Sequence, residues 1–548
     1  MRKKQPKKIA VADCETDPFD YITIPEPFLW GYFDGEHYRV FTSTDEFMVF
    51  VYQVSEPTII YAHNGGRFDW HFILDYMLDL SDVMIINGRI SKFIIGNCEF
   101  RDSYNILPTK LANMEKMEFD YAKMRKNIRH KYMAEIACYL ESDCRNLYKF
   151  VSGFINDYGF YLTQASAALG YWEGMSGTLP NDRGGVIYDA FSKFYYGGRC
   201  EALAIGVFKE NYTLVDINSA YPFAMCSPHP YSLDYSEISP KIFDKLSRTV
   251  RGGCFITVDG ISRGAFPYRL DSGELVFPND TLERRYYVTG WELDAAIRTD
   301  TFKGEIVRIY QFSELKDFKD YVLHFYELRR LAKQTGDKQN DLYAKIFMNA
   351  LYGKFASNPR NYSHYKVVDG EHIDAQGAVR GRDIESLDDK WTFAGQFGSR
   401  FLAESPLEGE ELRFYNVATS ASVTGYVRAM MWEAMCQCEG VIYCDTDSIL
   451  AKGLGDLTLG AALGQFKHEA DFIKIGIAGK KLYVLETAPN EKGIPDYKTA
   501  SKGARLTPDQ LYRVAKGERI IYKPEAPTFS IHSAPRFVDR VIQIVKKD

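Results

Sequence analysis

The chain has 548 residues, 46% of them hydrophobic and 26% charged, with a net charge of −6. That length exceeds one ordinary core and predicts several domains, while the composition excludes a disordered chain. No apolar run approaches the ~20 residues of a membrane span, no secretory signal peptide is evident, and the ten cysteines show neither zinc-ribbon spacing nor a disulfide framework.

A reducing cytoplasm is therefore the expected setting. The acidic balance does not announce a nucleic-acid binder, so any basic groove must be local. Lys474 to Arg505 holds seven Lys/Arg against three Asp/Glu, whereas Arg2, Lys3, Lys4, Lys7 and Lys8 read as a solvated tail. The 38 Tyr and 36 Phe suit a wet groove where rings stack on bases, or simply core and surface.

In chain order, Lys8 to Cys14 reads as an apolar strand ending in acids, and Thr58 to Ala62 as a second strand. Phe68 to Leu80 has helical periodicity, and Tyr132 to Phe154 is a clear helix. The Gly-rich stretch Gly170 to Gly185 marks a change, with a domain boundary just before it. Tyr212 to Ile217 is a strand, Asp317 to Phe355 a long helical region broken at Thr335-Gly336, and Val441 to Ala451 a strand, tight turn and strand. Residues Asn358 to Glu411 are polar and turn-rich and read as an inserted loop or hairpin.

Four constellations carry chemistry. Asp13-x-Glu15 ends a strand, where residues two apart share a face and can hold a divalent cation. Alone this is a weak signal. It is joined by His63-Asn64-Gly65-Gly66-Arg67-Phe68-Asp69 after the next strand and by Tyr139 and Asp143, four apart on one helix face. Cutting a phosphodiester with two metals ~4 Å apart needs acids from several such elements. The second constellation is Asp216 to Pro222, where a strand delivers Asp216; a turn or N-cap aspartate is the plain alternative. The third is Tyr443-Cys444-Asp445-Thr446-Asp447-Ser448, two acids at a hairpin tip, although sugar transferases and Ca²⁺ loops also use D-x-D. The fourth is Lys345 to Lys354, in which Lys345, Asn349 and Tyr352 share a helix face and Lys333, twelve residues earlier, falls close to it. Lys there would neutralise triphosphate and Tyr would stack on a base, unless the helix is merely amphipathic with snorkelling lysines.

The order D-x-E, N-x₃-F-D, Y-x₃-D, D-x₂-S-x-Y-P, K-x₃-N-x₂-Y-G and Y-x-D-T-D-S resembles the family B DNA polymerases over nearly the whole chain. Tyr195-Tyr196-Gly197-Gly198, Thr424 to Arg428 and Lys481-Leu482-Tyr483 are similar to the Y-x-G-G, T-x₃-R and K-x-Y motifs of the protein-primed branch of bacteriophages and linear plasmids. The resemblance implies an α/β and α+β multidomain chain. An RNase H-like 3′→5′ exonuclease would occupy residues 1–163 and a right-hand polymerase residues 164–548. Within the latter it implies a palm at about 164–226 and 412–505, insertions at 227–325 and 358–411, fingers at 326–357 and a thumb at 506–548.

By the same resemblance Asp13, Glu15, Asp69 and Asp143 would be exonuclease metal ligands and Tyr139 would place the water. Asn64 and Phe68 would hold the primer end, supported by Lys116. Asp216, the Ile217 carbonyl and Asp447 would be polymerase ligands, with Asp445 beside them. Lys333, Lys345 and Asn349 would meet the triphosphate, Tyr221 would gate the sugar and Tyr352 would pack on the nascent pair. Tyr195, Gly197, Gly198, Thr424, Arg428, Lys481 and Tyr483 would contact DNA. The implied cofactor is Mg²⁺ or Mn²⁺, two ions per site. The implied partners are primer-template DNA, dNTPs, a terminal protein carrying the priming hydroxyl and a single-stranded DNA-binding protein, with the chain a monomer in the host cytoplasm. Two departures stand out: Ala350 replaces the family's Ser after Asn349, and Ser103-Tyr104 stands for its S/T-Leu element.

Overall fold

The computed structural model describes residues 8–19, 23–110, 114, 117–178, 180–369 and 390–544. Parallel pairing of Lys8–Thr16 with Thr58–Ala62, and of Thr58–Ala62 with Cys98–Asp102, forms the centre of the first sheet. Pro27–Phe33 and Tyr38–Phe41 extend it antiparallel on one side, Arg89–Ile95 and Asp82–Ile86 on the other. Alternation along Lys8–Thr16 sends Ala10, Ala12 and Cys14 into one apolar core and Val11 into another, beneath the helix Met133–Tyr158.

The sheet does not stop at Asp82–Ile86. Ser363–Val368 pairs with it through Tyr365↔Val83 and Lys366↔Asp82, and Arg400–Pro406 and Thr392–Phe397 follow, giving ten strands. The segment read as an inserted loop or hairpin is thus a β-extension built of a hairpin, Thr392–Phe397 with Arg400–Pro406, joined to a further strand, and it buries Val367, Phe397 and Leu402 against the N-terminal unit and Val368 with Ala403 in a small core of its own. Its stretch 370–389 lies outside the described residues.

Further along, an antiparallel five-stranded sheet runs Phe466–Phe472, Tyr212–Ile217, Ser448–Ala451, Tyr443–Thr446, Arg199–Ala202. The helix Val417–Gln437 packs over it, and the antiparallel pair Lys319–Thr335 and Lys338–Phe355 stands beside. The break between that pair is where periodicity predicts it: Gly336 takes φ +73° as C-cap and Asp337 caps the next helix. A four-stranded sheet with the helix Gly290–Arg298 fills much of 227–325. The largest core runs without interruption from Phe150 and Phe154 to Tyr343 and Phe347, and the Tyr343 hydroxyl donates to the Phe150 carbonyl.

Two expected elements differ. Phe68 to Leu80 is not an α-helix but short 3₁₀ turns at Asp69–Phe72 and Leu74–Tyr76, because the chain must bend sharply to aim Asp69 inward. The Gly-rich stretch from Gly170 continues the helix Gln164–Ser176, and the turn begins only at Gly177. Gly170 is used for close approach: a Cβ there would lie 2.2 Å from the Tyr161 hydroxyl.

Candidate active site

At the C-terminal end of the Lys8–Thr16 strand, Asp13 and Glu15 point toward the Met133–Tyr158 helix, which supplies Tyr139 and Asp143. Asp69 enters from the turn after Thr58–Ala62, and all five line one cleft of about 390 Å³ with Asn64 and Phe68. Asn64 adopts φ +65°, a left-handed conformation that Asn tolerates better than most residues. Its side chain accepts from Arg89 at 2.7 Å, and Arg89 also bonds Asp102 at 2.6 Å. Burial pushes the Asp69 carboxyl up to about 6 against the opposing pull of a Cys14 thiol hydrogen bond. Burial and the Tyr121 hydroxyl, 3.0 Å away, raise the Tyr139 phenol, which stays protonated.

Three lining residues had no local signal. Tyr121 follows a stretch with no periodic pattern, Cys14 looks like a strand core residue, and Phe529 comes from the far end of the chain. Phe529 packs edge-on against Phe68 at 5.3 Å and Phe72 at 5.6 Å. Ile531 is buried in the N-terminal core, and His532 contacts the Ala394 carbonyl of the β-extension at 2.9 Å. Lys116 lies outside the described residues. Ser103 is fully buried, its hydroxyl donating to the Ala62 carbonyl, and so faces no strand; Tyr104 lies under the Arg89 guanidinium at 4.4 Å.

The second acid set sits on the five-stranded sheet. Asp216 opposes Ser448 across the strand pair, and the Ile217 amide donates to the Asp447 carbonyl at 2.9 Å. The hairpin tip is a three-residue turn in which the Asp447 amide donates to the Asp445 carbonyl at 2.7 Å around Thr446, whose φ of +64° is strained for a β-branched residue. Burial, then the Asp216 charge, lifts the Asp447 carboxyl to about 7; burial, then Glu469, lifts Asp216 to about 6. Glu469 escaped the sequence reading because its strand carries no motif. It lies beside the acids, tethered to Lys498 at 2.8 Å and Lys467 at 3.8 Å.

Around these acids Tyr221 and Tyr352 stack, centroids 4.6 Å apart and planes within 6°. Gly198 allows the chain to pass close, since a Cβ would come 2.7 Å from the Tyr221 hydroxyl and 2.9 Å from Thr446. Gly197 faces open space, with Tyr195 half-buried nearby. The Lys481 ammonium reaches Asp445 at 3.6 Å, its amide donates to the Tyr443 hydroxyl, and Tyr483 packs on Tyr443 at 5.0 Å. Asn349, Ala350 and Tyr352 border a cleft of about 940 Å³ shared with Arg89 and Tyr104. The Asn349 amide donates to the Lys345 carbonyl at 2.8 Å.

Two expectations are corrected. Thr424 and Arg428, expected to touch DNA, are each only 2% exposed. The Thr424 hydroxyl is turned back to the Ala421 carbonyl, and Arg428 is locked by a 2.7 Å ion pair to Glu292 and by bonds to the Tyr196 and Gly197 carbonyls at 2.6 and 2.9 Å. Arg428 thereby holds the Tyr196-Gly197 segment that approaches the site, since a desolvated guanidinium is kept only with its partners. Lys333 and Lys345 do not share a helix face either. The break at Gly336 places them, both exposed, on two antiparallel helices.

All donors in both acid sets are oxygens, the chemistry that suits a hard divalent cation. Among the described residues no three His, Cys, Asp or Glu stand close enough to complete a metal site alone.

The family described as DNA polymerase type B, organellar and viral, matches residues 54–137 and 115–388. A DNA-directed DNA polymerase of Enterobacteria phage PRD1 is 34% identical over 99% of both chains. A probable DNA polymerase of Neurospora intermedia is 24% identical over 77% of this chain and 51% of its own. In fold, the chain superposes on Phi29 DNA polymerase complexed with primer-template DNA at a TM-score of 0.73 and 18% identity, over 98% of this chain and 100% of that one. With a match across more than half of the chain and a full-length relative at 34% identity, the chain belongs to the organellar and viral type B DNA polymerases.

Proposed function

We propose that this polymerase carries a 3′→5′ proofreading exonuclease in residues 1–163 and a polymerase unit in 164–548, and that it starts replication on the hydroxyl of a terminal protein. The observation that carries the reading is the presence of two acid sets on two sheets, each with carboxylates pushed upward by burial and then by neighbouring acids. Mg²⁺ or Mn²⁺, two ions per site, would stabilise the attacking and leaving oxygens of phosphoryl transfer. At the polymerase site Asp216 and Asp447, with the Ile217 carbonyl, would hold them, Asp445 standing beside. The Tyr221–Tyr352 stack presents a flat wall to the incoming dNTP, with Lys345, Asn349 and Lys333 toward its phosphates. In the N-terminal cleft Asp13, Glu15, Asp69 and Asp143 would hold the ions, the protonated Tyr139 orients the attacking water, and Asn64 and Phe68 grip the primer end.

The partners of this reading are primer-template DNA, dNTPs, a terminal protein and a single-stranded DNA-binding protein, with the enzyme monomeric in the host cytoplasm. Among the described residues no helix is long and apolar enough to cross a membrane. The test is incubation of the enzyme with labelled dNTP, Mg²⁺ and a candidate terminal protein encoded beside its gene. A covalent protein–nucleotide product is expected; extension of DNA primers without that product refutes protein priming. Asp13→Ala with Glu15→Ala should abolish digestion of single-stranded 3′ ends and spare extension, and equal loss of both in a folded chain refutes two sites.

A further inference from the structure

Cys14 lies between two acids of the N-terminal cleft yet faces away from both. Strand alternation turns its side chain into the core opposite the Met133–Tyr158 helix, where it is 6% exposed. From there the thiol meets Asp69, which arrives from the 3₁₀ turn Asp69–Phe72: Cys14 Sγ donates to Asp69 Oδ1 at 3.3 Å. The Cys14 backbone amide donates to Asp13 Oδ1 at 3.1 Å. One residue thus touches carboxylates that reach the cleft from a strand and from the 3₁₀ turn after the next strand.

We infer that Cys14 is a positioning residue for the exonuclease acids, orienting Asp69 through its thiol and Asp13 through its amide; this rests on the nuclease reading above. A carboxylate free to rotate must be ordered when a cation binds, whereas one held at Oδ1 from behind is ordered beforehand. Asp69 is 3% exposed and lines the cleft, so the thiol orients a carboxylate that borders the space where a cation would sit. A thiol suits the task because S–H is a weak donor that fixes orientation without strongly competing for the oxygen's charge. A side chain of similar size without a donor would fill the same space but remove the side-chain bond that orients Asp69, leaving only the backbone amides of Cys14 and Asp69 to hold it.

The test uses the full chain with Cys14→Ser, Cys14→Ala and Cys14→Val, each also in an Asp216→Ala, Asp447→Ala background that silences the second site. Mn²⁺ binding is read by electron paramagnetic resonance, and digestion of a single-stranded 3′ end is titrated with Mg²⁺. Outer partners of metal ligands are typically worth ten- to a hundredfold in affinity or activity. Ala and Val should weaken Mn²⁺ binding and raise the Mg²⁺ requirement by about that factor, Ser should stay within about threefold of Cys, and primer extension in the otherwise wild-type chain should not change. If Val matches Cys while Ser fails, the site needs only apolar filling and the inference is overturned; unchanged Mn²⁺ binding in both Ala and Val overturns it too. If the wild-type chain digests nothing but the Mn²⁺ differences persist, the nuclease reading falls and the role of Cys14 stands.

Discussion

Replacing Asp447 by Asn should stabilise the folded chain in chelator while destroying polymerisation. Burial and the Asp216 charge lift the Asp447 carboxyl from an ordinary value of 3.8 to about 7. Between those values the folded state holds a proton that the unfolded state has released, so native stability falls as pH rises through this window and levels off above it. Asn cannot ionise and escapes the loss. From pH 5 to pH 7 the difference spans two pH units, about 2–3 kcal/mol at ~1.4 kcal/mol per unit. The Asn variant should therefore gain by about that amount on the wild type between pH 5 and pH 8, seen as a rising difference in unfolding midpoint in EDTA. Excess Mg²⁺ should narrow the gap at pH 8, because an ion bound only by the folded acid set stabilises it by mass action. A difference independent of pH, or a wild type more stable than the variant at pH 8 in EDTA, would refute the argument that Asp447 is buried at a cost that a cation relieves.

Other outcomes follow from the same geometry. Tyr221→Val, which removes one ring of the stacked pair, should raise ribonucleotide use relative to deoxyribonucleotide use in single-nucleotide incorporation; unchanged discrimination would assign Tyr221 to the core. Arg428→Met should destabilise by about 3–5 kcal/mol because Glu292 is left buried without its partner, and adding Glu292→Met should recover part of that loss in denaturant melts. Replacing Tyr362 to Glu408 with a short Gly/Ser linker should lower the melting temperature, because it uncovers the Asp82–Ile86 edge, while the fraction that stays folded should keep filling of short gaps but shorten products on long templates and impair synthesis through a downstream duplex, read by single-turnover extension on a trap. Normal strand displacement by the folded deletion would make the segment a tolerated appendage.

The placement of the acids was legible because it is local. Asp13-x-Glu15, Asp216 and Asp445-x-Asp447 each sit at a strand end or hairpin tip whose flanking apolar residues announce the strand. Gly336 declares its break through a backbone requirement of its own. What stayed hidden depends on partners distant in the chain. An Arg four residues after a Thr reads as a nucleic-acid contact until Glu292, 136 positions away, is found to neutralise it in the interior. Phe529 has no pattern around it, and its place beside Phe68 follows only from the docking of Ile531. The segment 358–411 misled for a related reason: its strands have too few apolar residues for a core of their own, because the N-terminal sheet supplies most of it.

That shared sheet has a consequence for biosynthesis. Val83 emerges from the ribosome about 280 residues before Tyr365, the residue it pairs with. At roughly 5–20 residues per second the interval is on the order of 15–60 s. During it Asp82–Ile86 is an open edge with unpaired amides and carbonyls and with Val83 and Ile85 not yet covered, the kind of edge that recruits foreign strands. A nascent chain arrested before residue 363, or an N-terminal fragment expressed alone, should accordingly bind chaperones and aggregate through this one strand, and the complete chain becomes safe only when its own later segment closes the seam.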